Sequence, residues 1–276
     1  MNHLSLGIIS FFVLGLANFH QVFAACDSAK VLIIDKANTR DPQGNGNVVG
    51  FGVNQQRNTK EANSYCAWVN GSLVHPDGSV VGTIVDNNSV IMGGTKNKIP
   101  RVNDQIKWVD PKSGRGNFAD TNGIFGMKKN GGFFLIRYEE QNQLDNSEIQ
   151  WAFQNGPILL SNGENPHNPN STSNYYRTGI GFINNKLIVL SSTQKCNLHD
   201  FGMLFKEKYN VDNAIYLDGY PDQRDYIGMK SSDTDNTNVL DGRYLLQFFK
   251  PNGCTEIISK IIGTSSESRS SETNNR

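Results

Sequence analysis

Asp212-Asn213-Ala214-Ile215-Tyr216-Leu217-Asp218-Gly219 is the stretch from which the rest of the chain can be read. Ala214 to Leu217 is too short an apolar run for a helix and reads as a buried strand, with Asp218-Gly219 as its exit. A carboxylate on the end of a core strand is held rigidly, apolar walls can raise its pKa, and a following glycine lets backbone approach a ligand closely. Immediately upstream, Asn197-Leu198-His199-Asp200 has the form of a helix start. Asn197 is placed to cap, Asp200 suits the positive end, and Leu198, Phe201, Leu204, Phe205 and Lys208 follow helical spacing. Helix, short loop, strand, Asp-Gly is the expected local order. A lone Asp-Gly dipeptide is more often a plain turn, so chemistry at Asp218 needs partners from elsewhere in the chain.

At the other end, Leu4 to Ala17 is almost wholly apolar, and Val22-Phe23-Ala24 closes the stretch with the small residues a signal peptidase reads. The expected organisation is a signal peptide over 1–24, one domain over 25–263 and a disordered tail over 264–276. That tail is Thr, Ser, Glu, Arg and Asn without an apolar residue. The leader carries His3 but no Lys or Arg, and it is too short for a comfortable membrane span. No transmembrane segment is expected after cleavage, and the destination is the periplasm or the medium. Cys26 also admits a lipoprotein reading, although Phe23 stands where such signals usually carry Leu.

The 26 basic and 26 acidic residues cancel, which argues against a nucleic-acid or anionic-membrane partner. Cys26, Cys66, Cys196 and Cys254 all lie beyond the leader, an even number that suits two disulfides with three pairings open. Their spacing matches no zinc motif. No ligand cluster argues for a metal, and no cofactor is expected.

Most of the chain reads as β-structure. Val31 to Ile34 is a continuous apolar run, while Val80 to Val85 and Val90 to Met92 flank Asp86-Asn87-Asn88. Gly123 to Met127 meets Phe133 to Tyr138 across Lys129-Asn130-Gly131-Gly132, a strong hairpin signal. Ile180 to Asn184 and Leu187 to Ser191 form a second hairpin, and Tyr244 to Phe249 a late strand. Short strands with polar turns imply antiparallel pairing. The expected class is α+β, a mostly antiparallel, curved mixed sheet packed on one or two helices.

Four separated segments set an apolar strand against a glycine and a strong hydrogen-bonding side chain. They are Trp68 to Pro76 with Asn70, Gly71 and His75, Phe153 to Leu160 with Gln154 and Gly156, Tyr176 to Gly181 with Arg177, and Leu217-Asp218-Gly219. Taken singly, glycines at strand ends serve turns and bulges. Arg177 beside Thr178-Gly179 reads either as a surface ion pair or as a bidentate clamp for phosphate or carboxylate.

In their order these segments resemble the phosphodiester glycosidase domain family, and especially its short bacterial members. The family's Asn-Gly-Gly followed by His-Pro-Asp is similar to Asn70-Gly71-Ser72 followed by His75-Pro76-Asp77. Gly-Asn-Phe and Asn-Gly-Val-Phe are similar to Gly116-Asn117-Phe118 and Asn122-Gly123-Ile124-Phe125. Gln-Ser-Gly-Pro-Leu-Leu resembles Gln154-Asn155-Gly156-Pro157-Ile158-Leu159, and Arg-Asn-Gly-Val-Gly resembles Arg177-Thr178-Gly179-Ile180-Gly181. The closing Asn-Ala-Leu-Tyr-Leu-Asp-Gly resembles Asn213 to Gly219. Two departures stand out: Ser72 replaces a glycine, and Tyr220-Pro221-Asp222-Gln223-Arg224 replaces the usual small residue and Ser.

The resemblance implies hydrolysis of a sugar 1-phosphodiester between the anomeric carbon and the phosphate oxygen, with a carbohydrate phosphodiester as partner. It implies Asp218 as general base or stabiliser of the oxocarbenium-like centre and Arg177 as the cation facing phosphate. Asn70, Gly71, His75, Gln154, Gly156 and Gly219 are expected to bind substrate. His75 is a candidate proton carrier, although a turn His before Pro76 also fits a solvent-facing role. The altered 220–224 loop keeps open a non-catalytic glycan-binding or envelope-polymer assembly protein on the same fold. Sequons at Asn70, Asn87 and Asn170 bear on the protein only in a eukaryotic secretory pathway.

Overall fold

The strand and helix expected around Ala214 are both present in the computed structural model, which describes Cys26 and residues 29–35, 49–53, 65–71, 73, 75, 79–86, 89–95, 98–101, 106–113, 121–184, 186–217, 227–229, 244–249 and 261–262. The expected signal peptide, the 264–276 tail, Asp218-Gly219, the 220–224 loop and Gly116-Asn117-Phe118 lie outside the described residues. In chain order the strands are β1 (Ala29–Asp35), β2 (Val49–Val53), β3 (Tyr65–Asn70), β4 (Ile84–Asp86), β5 (Ser89–Ile91), β6 (Lys98–Pro100), β7 (Gly123–Lys128) and β8 (Phe133–Arg137). They continue with β9 (Ile149–Asn155), β10 (Ile158–Leu160), β11 (Thr178–Ile183), β12 (Lys186–Ser192), β13 (Asn213–Leu217), β14 (Ile227–Met229), β15 (Tyr244–Phe249) and β16 (Ile261–Ile262), with helix α1 (Leu198–Tyr209) between β12 and β13.

Every described strand pair is antiparallel. The class is α+β and sheet-dominated, as expected, but the strands divide among three sheets rather than forming one mixed sheet. The first has the order β10-β13-β11-β12-β1-β16, the second β14-β3-β15-β2 and the third β6-β5-β4-β9-β7-β8. Consecutive strands pair at β4–β5, β5–β6, β7–β8 and β11–β12, the other described pairs join strands distant in sequence, and Gly156-Pro157 carries the chain from β9 in the third sheet to β10 in the first.

Local chemistry accounts for the turns. Between β7 and β8, Gly131 takes φ +81°, and the Lys128 amide donates to the Gly132 carbonyl at 2.8 Å. The β11–β12 hairpin turns on Asn184 at φ 52°, a left-handed conformation that Asn tolerates. The run from Val80 leaves the ladder before β4. There the Val80 amide donates to the Thr95 carbonyl at 3.1 Å and the Val81 amide to the Leu73 carbonyl at 2.9 Å, so β4 is shorter than expected.

The main core lies between the first and third sheets. Leu32, Ile180, Val189, Ile215 and Leu217 meet Ile84, Phe125, Met127, Trp151 and Phe153 there. On the other face of the first sheet, Val31, Leu190 and Ala214 pack against Phe201, Leu204 and Phe205 of α1, each worth about 1.5–3 kcal/mol on full burial. Asn197 caps this helix by accepting from the Asp200 amide at 2.8 Å, and Asn210 ends it in the left-handed region.

Two motif glycines are explained by this layering. A Cβ on Gly179 would meet Phe201 Cε1 and the Ile215 carbonyl oxygen, each at 3.0 Å, so glycine lets α1 seat on β11. A Cβ on Gly123 would meet Ile215 Cδ1 at 2.6 Å, where the two facing sheets approach. A disulfide between Cys26 and Cys196 joins residues 170 apart in sequence, a closure worth at most about 5 kcal/mol in the chain-entropy model. It is one of the pairings left open by the sequence and leaves Cys26 no thiol to carry a lipid. The side chain of Cys66, and Cys254, lie outside the described residues.

Candidate functional site

Three sheets meet at one side chain. Asn155, the last residue of β9 and fully buried, donates through Nδ2 to the Gly71 carbonyl at 3.1 Å and to the Tyr216 carbonyl at 3.0 Å. Gly71 follows directly on β3 of the second sheet, and Tyr216 is the penultimate residue of β13 in the first. The physical cause lies in Pro157. Ile158 pairs with Ile215, so Pro157 stands opposite Tyr216, and its carbonyl accepts from the Tyr216 amide at 3.0 Å. An ordinary residue would return a bond from its own N–H to the Tyr216 carbonyl, but proline has none. The Asn155 amide supplies that missing donor and takes the Gly71 carbonyl with its second hydrogen.

Arg177 enters the same neighbourhood from β11. It precedes Thr178, whose partner across the ladder is Leu217, the chain neighbour of Asp218. Only 8% exposed, its guanidinium donates through Nε to the Cys196 carbonyl at 3.1 Å and through Nη2 to the Ser173 carbonyl at 2.8 Å. The guanidinium carbon also lies 5.0 Å from the Tyr175 ring centroid and 5.6 Å from that of Tyr216. Among the described residues no carboxylate pairs with it, and Nη1 has no partner. Burial of this cation carries a desolvation cost that an anion would offset. Of the two readings of Arg177, the surface ion pair is therefore the one its burial disfavours.

Gln154 is placed differently from its neighbour. Its Nε2 donates to the Val109 carbonyl at 2.5 Å and the Thr121 carbonyl at 3.2 Å, while Oε1 accepts from the Val109 amide at 2.8 Å and the Thr83 amide at 3.5 Å. Both its hydrogens are engaged by backbone, so in this arrangement it has none for a substrate. The amide pins Val109 and Thr121 onto β9. Asn122 holds the next junction by accepting the Ile158 amide at 3.2 Å. Gly71 and Gly156 are buried. His75 is half-buried on the segment returning from Gly71, where its amide donates to the Ser79 carbonyl at 2.8 Å. The Asn70 side chain, Asp218 and Gly219 lie outside the described residues.

The arrangement thus draws Gly71, the end of β9, the head of β11 and the end of β13 toward one place. Sequence reading passed over Asn155 and the two tyrosines. A strand-ending Asn before Gly-Pro signals a lost backbone donor, and Tyr175 two residues before Arg177 signals a ring on the same side of an extended chain. Among the described residues no group of three or more His, Cys, Asp or Glu is placed to hold a metal ion.

Comparison with known proteins bears on this arrangement. Residues 63–243 match the phosphodiester glycosidase family model, more than half of the chain. Over 112 residues the chain is 37% identical to the uncharacterized protein YigE of Escherichia coli (strain K12), a match covering 37% of this chain and 44% of that protein. The chain therefore spans less than half the length of that relative. Among solved structures, the zebrafish N-acetylglucosamine-1-phosphodiester alpha-N-acetylglucosaminidase catalytic domain, auto-inhibited by its pro-peptide, is similar at 18% identity and a TM-score of 0.46, over 81% of this chain and 73% of that one. A hypothetical protein from Synechocystis is similar at 15% identity and a TM-score of 0.30, over 81% of this chain and 42% of that one. The matched residues contain every motif segment from Asn70-Gly71 to Asp218-Gly219, and the chain belongs to the phosphodiester glycosidase family.

Proposed function

We propose that the protein is a hydrolase that cleaves a sugar 1-phosphodiester between the anomeric carbon and the phosphate oxygen. The observation that carries this reading is Arg177, a buried guanidinium with aromatic faces, two carbonyl acceptors and no carboxylate partner among the described residues, one residue from the pair of Leu217. Such a group suits a phosphate. Phosphate leaves as an already stable anion and needs less protonation than an alcohol. One carboxylate and one cation can therefore do what two carboxylates do in ordinary glycosidases.

In this mechanism water forms the new bond to the anomeric carbon as the bond to the phosphate oxygen breaks. Asp218 takes the water proton or stabilises the oxocarbenium-like centre, and Arg177 neutralises the departing phosphate. Asn70, Gly71 and His75 contribute substrate contacts. Gln154 acts from behind by fixing β9, and Gly156 and Gly219 leave room for backbone near the ligand. The protein works after export, with 1–24 as signal peptide and 25–263 as the domain. The Cys26–Cys196 disulfide supports an oxidising compartment, and no helix among the described residues is long and apolar enough to cross a membrane.

The test is a panel of sugar 1-phosphodiesters and matched methyl glycosides, with released sugar followed by NMR. Release from the phosphodiesters alone is expected. Binding without cleavage across the panel would favour the glycan-binding or envelope-polymer alternative, to which the 220–224 departure points. Neither binding nor cleavage would remove the reading.

A further inference from the structure

We infer that Asn155 is a positioning residue that sets the spacing between the Gly71 segment and the end of β13, and through it the placement of Asp218. This inference deepens the proposed function and rests on it for the role of Asp218. The clamp itself stands on geometry alone.

The side chain is fully buried, both its hydrogens are spent on backbone carbonyls, and its Oδ1 has no hydrogen-bond partner among the described residues. As a filler of core space this is a poor choice, because an unpaired buried acceptor is unfavourable and an apolar side chain of similar volume would avoid it. What Asn adds is two donors on one planar group, aimed at two carbonyls in different sheets. Pro157 makes the donor to Tyr216 necessary, since no backbone N–H is available at that position in the register.

The second donor ties that strand to Gly71, next to the expected substrate-binding Asn70. Tyr216 O is two peptide units from Asp218, so slackening there moves the carboxylate relative to a substrate held at Gly71.

The experiment compares wild type with Asn155→Leu, which keeps the branched four-atom outline and removes both donors, and Asn155→Ser, which keeps one. Steady-state kinetics on a sugar 1-phosphodiester should show kcat falling about a hundredfold in Asn155→Leu and roughly tenfold in Asn155→Ser, the scale expected for misplacing a reacting group. KM should stay within about threefold, since Arg177 is untouched. Hydrogen–deuterium exchange is read on the same proteins without substrate. Faster exchange confined to the segments around Gly71 and Tyr216, with β12 and α1 unchanged, is expected. Exchange unchanged at both segments, or raised uniformly, overturns the clamp even if wild type turns over no substrate. Local loosening with no turnover in wild type would leave the clamp standing and reject only the hydrolase reading. Local loosening with kcat equal to wild type overturns the positioning role.

Discussion

Nε of Arg177 donates to the carbonyl of Cys196 at 3.1 Å, and Cys196 is one half of the disulfide to Cys26. The same carbonyl accepts the Tyr175 amide at 3.1 Å, and the Cys196 amide returns a bond to the Tyr175 carbonyl at 2.9 Å. The buried cation is thus held by backbone that a long-range covalent closure fixes. Cys26→Ala is expected to lower stability by roughly 2–5 kcal/mol. It should also weaken binding of inorganic phosphate, measured by calorimetry below the melting transition. Unchanged phosphate affinity in the folded variant would separate the disulfide from the cation.

Tyr175 is 45% exposed while its ring stacks on the guanidinium of Arg177. Tyr175→Phe keeps the quadrupole and is expected to bind phosphate as wild type does. Tyr175→Ala removes a contact worth about 0.5–1 kcal/mol at an exposed site, a loss of about two- to fivefold in affinity. Equal loss in both variants would point to the hydroxyl instead.

Gly179 belongs to a motif that reads as functional by position, yet its lack of a Cβ is explained by Phe201, Leu159 and the Ile215 carbonyl. Gly179→Ala is expected to destabilise by about 1–3 kcal/mol through overpacking at the α1 interface. Urea denaturation reads this as a lower midpoint with unchanged slope. No shift would mean that α1 moves off the sheet without cost.

How much of this was legible beforehand follows the range of the interactions. The helix over Leu198–Tyr209 and the strand over Asn213–Leu217 were readable because an N-cap, apolar spacing and an apolar run are local signals. The two hairpins were readable from Asn and Gly at their turns. The division into three sheets was not, because it depends on Gly156-Pro157 crossing between layers and on Asn155 reaching Gly71, 84 residues away. Gln154 shows the same limit. Nothing in its neighbours indicates that the Val109 and Thr121 backbones would occupy its amide. Arg177 was legible as a cation beside a strand, but its acceptors on Cys196 and Ser173 were not.

Arg177→Ala is expected to weaken binding and turnover of a sugar 1-phosphodiester together, by about ten- to a hundredfold, since a charged hydrogen bond contributes about 1.5–3 kcal/mol. Parallel calorimetry and kinetics check it. A variant that loses kcat alone would assign Arg177 to the transition state and not to phosphate recognition.

The central claim is that Asp218, which follows β13 in sequence, supplies the charge the reaction needs. Asp218→Asn keeps the shape of the side chain and deletes that charge. The direct measurement is kcat and substrate affinity of Asp218→Asn against wild type on the same sugar 1-phosphodiester. The account predicts turnover lost and binding nearly intact; turnover equal to wild type would contradict it.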